Sequence, residues 1–294
     1  MDTIYKIIEK RKIWFTISLI VIVIGIFTMA TKGLEYGLDF KGGTIVEINL
    51  GSNFNKEDVD SIIKKYSKDF QSTKSDNKSI TIKSTSLSSD NVNNIVKDVK
   101  AKYKKSSLTN QENIGAVIGK ETRVKAIQAV IVAIIAMFIY IGIRFELSYG
   151  IAAMISLVHN ILVMLSVYAI FRISIDTNFI AATLTVMGYS VHDTIVVFDR
   201  IRENHKYMRG QEPEMVADAS VTQTLARSIN TVLTVVITLA SVYVLVPSIR
   251  IFSEPILIGV ITGCYSSICI ASPCWVIIKK RMINRKKRLR SAVQ

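Results

Sequence analysis

The alternation of apolar and polar residues divides the chain into six long apolar runs, with one long mixed segment after the first run. Each run is close to the ~20 residues that an α-helix needs to cross a bilayer. The runs are Ile13–Met29, Ala126–Ile143, Leu147–Phe171, Phe179–Phe198, Ile229–Val246 and Ile256–Ile278. The first run is long for a signal peptide and lacks an A-x-A cleavage site, so it predicts an uncleaved span. The pattern predicts an α-helical polytopic membrane protein with six transmembrane helices.

In the mixed segment, short stretches with the apolar spacing of β-strands alternate with short stretches that have the spacing of α-helices, as in a small α+β domain. Its strand and helix patterns follow the order β-α-β-β-α-β, which is the split βαβ arrangement of ferredoxin-like domains. The predicted elements are a strand Thr44–Leu50, a helix Lys56–Tyr66 capped by Asn55, a hairpin of Phe70–Lys74 and Ile80–Ser84, a helix Asn91–Tyr103 capped by Asp90, and an extended piece Leu108–Ile114. A ferredoxin-like domain is therefore expected between helices 1 and 2.

A glycine-rich turn, GLDFKGGT, precedes the first predicted strand. Two adjacent glycines before a β-branched run are typical of a tight turn. The residues of this turn motif are Gly37, Asp39, Gly42 and Gly43. A structural turn is favoured over a functional one for Asp39.

Charge next to the apolar runs predicts the topology. The short loops and the C-terminal segment on one side are basic, whereas the loops near Asp176 and Arg250 are sparsely charged. Because basic loops stay in the cytoplasm, both termini are expected inside and the mixed domain outside. The expected divisions are residues 1–31 (N-terminus and helix 1), 32–123 (extracytoplasmic ferredoxin-like domain), 124–278 (helices 2–6) and 279–294 (basic cytoplasmic tail).

Composition narrows the classes of function. The formal net charge is +14, but the basic residues cluster beside apolar runs, which indicates contact with membrane lipids and not with nucleic acid. The three cysteines lie five residues apart in the last run, so they share no helix face and predict no metal site. The sequence has no nucleotide-binding loop and no nucleophile constellation, and we expect neither an enzyme nor a cofactor.

Asp193 is the most informative residue, because it lies well inside the fourth apolar run. A carboxylate at bilayer depth costs roughly 2.5–3.5 kcal/mol on insertion scales, and such residues commonly mark ion or proton pathways. Arg227 enters the fifth run at a similar depth, and Thr231, Thr234 and Thr238 continue one helix face from it. Such a polar stripe is expected to face the inside of a helix bundle. We therefore predict that Asp193 and Arg227 form a proton- or ion-coupling site. A carboxylate that serves only helix packing is the alternative.

Other polar residues are predicted to support this site. His192 is adjacent to Asp193, where a relay role and a plain helix-interface role are about equally favoured, and Arg200 is an alternative partner for Asp193. The wider set of supporting candidates is His159, Asn160, His192, Asp199, Arg200, Thr231 and Thr234. His159 and Asn160, in the third run, are expected to face the inside of the bundle. Gly259 and Gly263 form a GxxxG step in the sixth run, which is typical of close helix packing.

Four ordered motifs resemble those of the SecF family. They are GLDFKGGT after the first run, GYSVHDTIVVFDRIREN in the fourth, TQTLARSINT at the fifth and IGVITGCYSSICIASP in the sixth. SecF is the smaller membrane subunit of the bacterial SecDF protein-export complex, which is related to the RND transporters. The resemblance covers nearly the whole chain and implies half of an RND-like bundle.

The resemblance also implies a function and partners. It implies a multi-pass subunit of the bacterial cytoplasmic membrane that uses the H⁺ or Na⁺ gradient to help complete preprotein translocation. The implied partners are SecD in a heterodimer, the SecYEG translocon, YidC as a further candidate, and secretory preproteins. The family's proton-linked Asp and Arg fall on Asp193 and Arg227. The chain departs from the family pattern at Asn160, where Asp is common, and at His192, where Asn is common.

Two other functions remain as alternatives. The first is an RND-type exporter of small molecules or lipids. The second is a membrane assembly factor in which the buried polar residues only fix helix packing. An exporter would require a drug or lipid substrate, whereas an assembly factor would tolerate the loss of Asp193.

Overall fold

The computed structural model describes residues 4–75 and 77–291. In chain order its elements are α1 (Arg11–Lys32), α2 (Leu38–Lys41), β1 (Gly43–Asn49), α3 (Lys56–Ile63), β2 (Gln71–Lys74), β3 (Ser79–Ser84), α4 (Ser89–Lys102), β4 (Ser107–Ile114), α5 (Ala116–Arg144), α6 (Leu147–Phe171), α7 (Thr177–Tyr207), α8 (Pro213–Leu245), α9 (Arg250–Ser266) and α10 (Ser272–Ser291). Six helical spans in the described residues are long and apolar enough to cross a membrane, which confirms the predicted number.

The ends of the spans follow from local backbone chemistry. Helix α6 ends at Phe171, and its C-cap residue Arg172 takes a left-handed conformation with φ 55°. Helix α7 then begins where Asp176 Oδ1 accepts the N–H of Phe179 at 3.0 Å, a typical N-cap contact. Gly210, with φ 88°, allows the turn into α8, and Pro213 occupies the first turn of that helix, where its missing N–H costs nothing.

Two helices begin well before their apolar runs. Helix α5 starts at Ala116, whereas the run starts at Ala126, and α8 starts at Pro213, whereas the run starts at Ile229. Hydropathy therefore located the apolar core of each helix but not its polar first turns.

The sixth span is one long helical segment of residues 247–285, built from α9, α10 and a π-helical turn between them. The π turn covers Ser267–Ala271 and is fully buried. The helix continues to Ser291, so the basic residues from Lys279 onward extend the span as helix. Single π turns inside α-helices are frequent at functional sites.

Residues 43–114, from β1 to β4, fold into a four-stranded antiparallel sheet with the two helices α3 and α4, which we call the sheet domain. Its strand order is β2-β3-β1-β4, with Val46 opposite Ile82 in one pair and Gln111 in the other. This order and the β-α-β-β-α-β sequence confirm the ferredoxin-like prediction. Asn55 caps α3 as predicted, through Oδ1 and the N–H of Glu57 at 3.1 Å. Helix α3 ends at Ile63, three residues before the predicted end.

One predicted cap is wrong. Ser88 caps α4 by accepting the N–H of Asn91 at 3.3 Å, and Asp90 lies inside the first turn instead. Serine and aspartate are comparable N-cap residues, so the choice between neighbouring positions depends on where the helix packs. Helix α4 starts at Ser89, two residues earlier than predicted, directly after the Ser88 cap.

The core of the sheet domain comes from strands whose side chains alternate between buried and partly exposed positions. Every second residue of β1 and β3 is buried, and these side chains face α3 and α4. Val46, Ile48, Ile80 and Ile82 are each at most 1% exposed. Burying a side chain of this size contributes about 1.5–3 kcal/mol, so the sheet domain has a core of its own.

Candidate functional site

Asp193 lies in the middle of α7, about 24 Å from Thr177 at about 1.5 Å per residue. Its Oδ1 accepts a hydrogen bond from the hydroxyl of Ser228 on α8 at 2.6 Å. Its Oδ2 is buried and has no hydrogen-bond partner among the described residues. A buried carboxylate oxygen without a partner is costly, so this oxygen is the natural acceptor for a proton or a water molecule.

A small cavity of about 60 Å³ opens beside Asp193, between α7, α8 and α9. Arg227, His192, Thr231 and Cys264 are among the residues that line it. The cavity is large enough to hold water. It brings the two residues of the predicted coupling site to one place.

Asp193 and Arg227 share this cavity without forming an ion pair within the described part of the chain. Arg227 is exposed, whereas its neighbour Ser228 is only 1% exposed. Sequence reasoning missed Ser228, because a serine within an apolar helix is common and its partner becomes known only when α7 and α8 are packed together.

The polar face of α8 lies outside this chain's bundle, contrary to the expectation that it faces inward. Thr231, Thr234 and Thr238 are exposed, and each hydroxyl donates to a carbonyl oxygen of its own helix at 2.8–2.9 Å. The buried residues of α8 all fall between Pro213 and Ser228. The rest of the polar face has no covering helix within the described residues.

The charged end of α7 forms its own surface network. Arg200 donates to Gln223 and Glu203, both at 2.6 Å, so it is not the partner of Asp193. Asp199 pairs with Arg202 at 2.7 Å. His192 is exposed at the cavity, and no hydrogen bond to it appears among the described residues.

His159 and Asn160 lie inside the bundle, as predicted, and bind α9. His159 Nδ1 is 3.1 Å from the hydroxyl of Ser266, while its Nε2 is buried and has no partner in the described chain. Asn160 donates to the carbonyl of Gly259 at 3.3 Å and accepts from Thr262 at 2.5 Å. Both residues therefore fix α6 against α9.

A second set of hydroxyls connects α7 to the π turn, and sequence reasoning missed it. Ser267 is 2.8 Å from the hydroxyl of Thr194 and donates to the carbonyl of Ser190 at 3.2 Å. Thr194 is the residue after Asp193. The π turn is thus tied to the helix that carries the carboxylate.

Gly259 and Gly263 allow the close packing predicted for the sixth span. A Cβ at Gly259 would lie 2.6 Å from the Val186 side chain on α7 and 2.8 Å from the sulfur of Met164 on α6. A Cβ at Gly263 would lie 3.2 Å from Asn160 Nδ2. The glycines bring α9 close enough to contact both helices.

The turn motif before β1 is a close-packed joint. Gly42 and Gly43 have φ values of 82° and 147°, which side chains rarely adopt. Asp39 Oδ2 accepts the N–H of Thr177 at 3.0 Å and also the Thr177 hydroxyl, so it supports the first turn of α7. The favoured structural reading of Asp39 agrees with these contacts.

Comparison with known proteins identifies the family. Residues 92–281, well over half of the chain, match the family model "Protein export membrane protein SecD/SecF, C-terminal". Residues 27–52 match the "SecD/SecF GG Motif". The chain belongs to the SecD/SecF family. The GG motif of this family corresponds here to Gly42 and Gly43 at the entrance to β1.

Relatives within the SecD/SecF family match along most of the chain. A protein translocase subunit SecF of Sebaldella termitidis is 34% identical, over 94% of this chain and 92% of the relative. A protein translocase subunit SecDF of Bacillus subtilis is 36% identical, over 94% of this chain but 38% of the relative.

Two solved SecDF structures share the fold. A Thermus SecDF, described as a translocon-associated membrane protein, superposes with a TM-score of 0.83 at 27% identity, over 95% of this chain and 39% of that one. A SecDF in a super-membrane-facing form superposes with a TM-score of 0.74 at 26% identity. The match covers 100% of this chain and 41% of that one. The chain thus spans about two fifths of these larger proteins.

Proposed function

We propose that this chain is the SecF-type subunit of a bacterial protein translocase and uses the proton gradient to help complete preprotein export. The observation that carries the proposal is the Asp193 carboxylate, held at membrane depth with one oxygen bonded to Ser228 and the other without a partner among the described residues. Relatives named as protein translocase subunits support the export role.

The working cycle rests on the charge of Asp193. When the carboxylate is ionised, it accepts the Ser228 hydrogen bond and attracts Arg227 across the shared cavity. When it takes up a proton, that attraction is lost and the Arg227 charge has no counter-ion there. Because the two states differ in the force between α7 and α8, proton binding shifts the balance between two helix arrangements.

A SecD-type subunit is the proposed partner. Arg227 and the three exposed threonines of α8 would be costly against lipid, so a second helical surface is expected to cover them. In the fused SecDF relatives, 38–41% of the protein corresponds to this chain, which leaves room for such a half. The channel SecYEG, YidC and preproteins are expected from the resemblance.

The proposed topology has the sheet domain outside the cytoplasmic membrane and both termini in the cytoplasm. The basic segment of residues 200–209 and the basic stretch from Lys279 support this orientation, because short cytoplasmic loops retain positive charge. Asp193 then lies in the cytoplasmic half of the membrane, with Ser228 beside it.

The decisive experiment compares Asp193→Asn with the wild type in vesicles that contain the SecD partner and the channel. Asparagine keeps the shape and can still accept from Ser228, but it cannot carry the charge. We expect normal membrane yield and loss of gradient-dependent preprotein export. The matched control is Asp199→Asn, which removes a surface ion pair of the same helix and should export normally. Full gradient-dependent export by Asp193→Asn would overturn the proposal. Transport of a drug or lipid instead of preprotein would favour the exporter alternative.

A further inference from the structure

The short helix α2 lies where the sheet domain meets the start of α7. Asp39 of α2 accepts both the backbone N–H and the hydroxyl of Thr177. Phe40, only 5% exposed, belongs to the same buried cluster as Phe179 and Val186 on α7. One side of α2 is therefore fixed to the helix that carries Asp193.

The segment before α2 is joined to the loop between α6 and α7. The N–H of Gly37 donates to the carbonyl of Ile175 at 2.7 Å, and the N–H of Ile175 donates to the carbonyl of Glu35 at 2.7 Å. The Arg172 guanidinium donates to the carbonyl of Gly33 at 2.7 Å and pairs with Glu35. These contacts leave α2 little freedom to move apart from the α7 end.

The other side of α2 contacts both chain connections of the sheet domain. Gly42 leads into β1, and a Cβ on it would lie 2.8 Å from the Cα of Ala116 at the start of α5. A Cβ at Gly119 would lie 3.0 Å from the backbone of Phe40 and of Gly42. Because α5 directly follows β4, the entry and the exit of the sheet domain meet at α2.

A polar cavity of about 600 Å³ lies beside this joint. Asp69 and Lys83 of the sheet domain line one part of it, and Arg172 and Asp176 of the α6–α7 loop line another. The sheet domain therefore has room to tilt toward the loop, with α2 at the edge of the space.

We infer that α2 is a coupling strut between the sheet domain and α7, and that Asp39 is its positioning residue. The inference rests on the proposed function, because it concerns how a change at Asp193 reaches the sheet domain. A displacement of α7 along its axis moves Thr177, and through Asp39 it moves the segment from which β1 starts. Packed elements of this kind pass on small shifts as rigid-body movement.

The test measures movement of the sheet domain by spin-label distances in the full chain with its SecD partner. Labels at Lys97, which is exposed on α4, and at Leu245, which is 77% exposed at the end of α8, report the angle of the domain. Asp193→Asn should shift this distance distribution when Asp39 is intact. In an Asp39→Ala background the same change should produce a clearly smaller shift. Asp39→Ala alone should lower gradient-driven export about tenfold, within the usual range of coupling between sites.

Two further variants keep the test decisive. Lys41→Gln removes an exposed ion pair with Glu35 from the same short helix, so the shift should persist. Thr177→Ala removes one of the two donors to Asp39 and should reduce the shift even if Asp39→Ala fails to fold. An equal shift with and without Asp39 would overturn the strut while the proposed function stands. No shift at all on Asp193→Asn would overturn the strut, and normal export by that variant would separately overturn the proposed function.

Discussion

Asp193 on α7 is hydrogen-bonded to Ser228 on α8, with 2.6 Å between the carboxylate oxygen and the hydroxyl. Successive residues of a helix point about 100° apart, so Ser228 and Arg227 face different directions. Ser228 lies in the closed contact between the two helices, whereas Arg227 lines the open cavity. A neutral hydroxyl therefore holds the carboxylate in place, and the charged group next to it stays free to respond.

Replacing Ser228 with alanine should weaken the site. The change removes the Ser228 donor of the Asp193 carboxylate, and losing a hydrogen bond to a charged group costs about 1.5–3 kcal/mol. We expect a lower unfolding temperature in detergent and reduced gradient-dependent export. Ser241→Ala is the control, since that exposed hydroxyl donates to the carbonyl of Ile237 in its own helix. If Ser228→Ala and the wild type had the same unfolding temperature and the same export, this hydrogen bond would contribute to neither stability nor function.

Replacing Arg227 with methionine should separate stability from activity. Arg227 is exposed and unpaired with Asp193 in the described structure, so the isolated chain should change by no more than about 0.5 kcal/mol. Gradient-driven export in the presence of SecD should be lost, and Arg227→Lys should restore part of it. Thermal unfolding of the chain alone and export in vesicles are the two measurements. Strong destabilisation of the isolated chain would show that Arg227 compensates Asp193 directly.

The two glycines of the turn should tolerate no side chain. Alanine at Gly42 would combine a positive φ with a contact of 2.8 Å to the Ala116 backbone, and alanine at Gly43 would lie 2.6 Å from the carbonyl oxygen of Ser84. Strain and overpacking together should cost about 2–5 kcal/mol. The measurement is the unfolding temperature of the full chain in detergent.

Two other glycines allow backbone strain and overpacking to be distinguished as causes of the lower stability. Gly33 also has a positive φ, 68°, but a Cβ there would meet nothing within 4 Å. Its alanine variant should therefore show the strain alone, about 1–2 kcal/mol. Gly142 lies within α5 with open space around it, so alanine there should be neutral or slightly stabilising. If all four variants unfolded at the same temperature, close packing at the turn would not be the reason for its glycines.

Cysteine labelling checks the proposed topology. In a variant without the three native cysteines, Lys97→Cys on α4 should react with an impermeant reagent in intact cells. Tyr207→Cys, at the 81% exposed end of α7, should react only after the membrane is opened. The expectation follows from the basic residues on the Tyr207 side of the membrane. Labelling of Tyr207→Cys in intact cells would reverse the orientation.

Local patterns were enough to predict the sheet domain and the number of spans. Alternation in β1 and β3 and the cap at Asn55 are properties of a few adjacent residues, so the sequence displays them directly. The cap of α4 was assigned to Asp90 instead of Ser88, because the two positions are equally suitable locally and packing chooses between them.

The site was predictable only in part. Asp193 stands out because it is a charge inside an apolar run, and the cavity that it shares with Arg227 agrees with the depth expected for both. The hydrogen bonds of Ser228 and Ser267 could not be predicted, since each joins two separate helices. The outward direction of Thr231 could not be predicted either, because a helical stripe shows that a face is polar but not which chain covers it.

The bare polar face of α8 has a consequence for the life of the protein in the cell. A copy made without its partner would present a guanidinium and a row of hydroxyls to lipid, which is the feature by which membrane quality control can recognise an orphan subunit. We therefore expect such a copy to be degraded faster than one assembled with its partner. Equal synthesis of this chain and its partner, or their fusion into one polypeptide, would avoid copies that lack a partner.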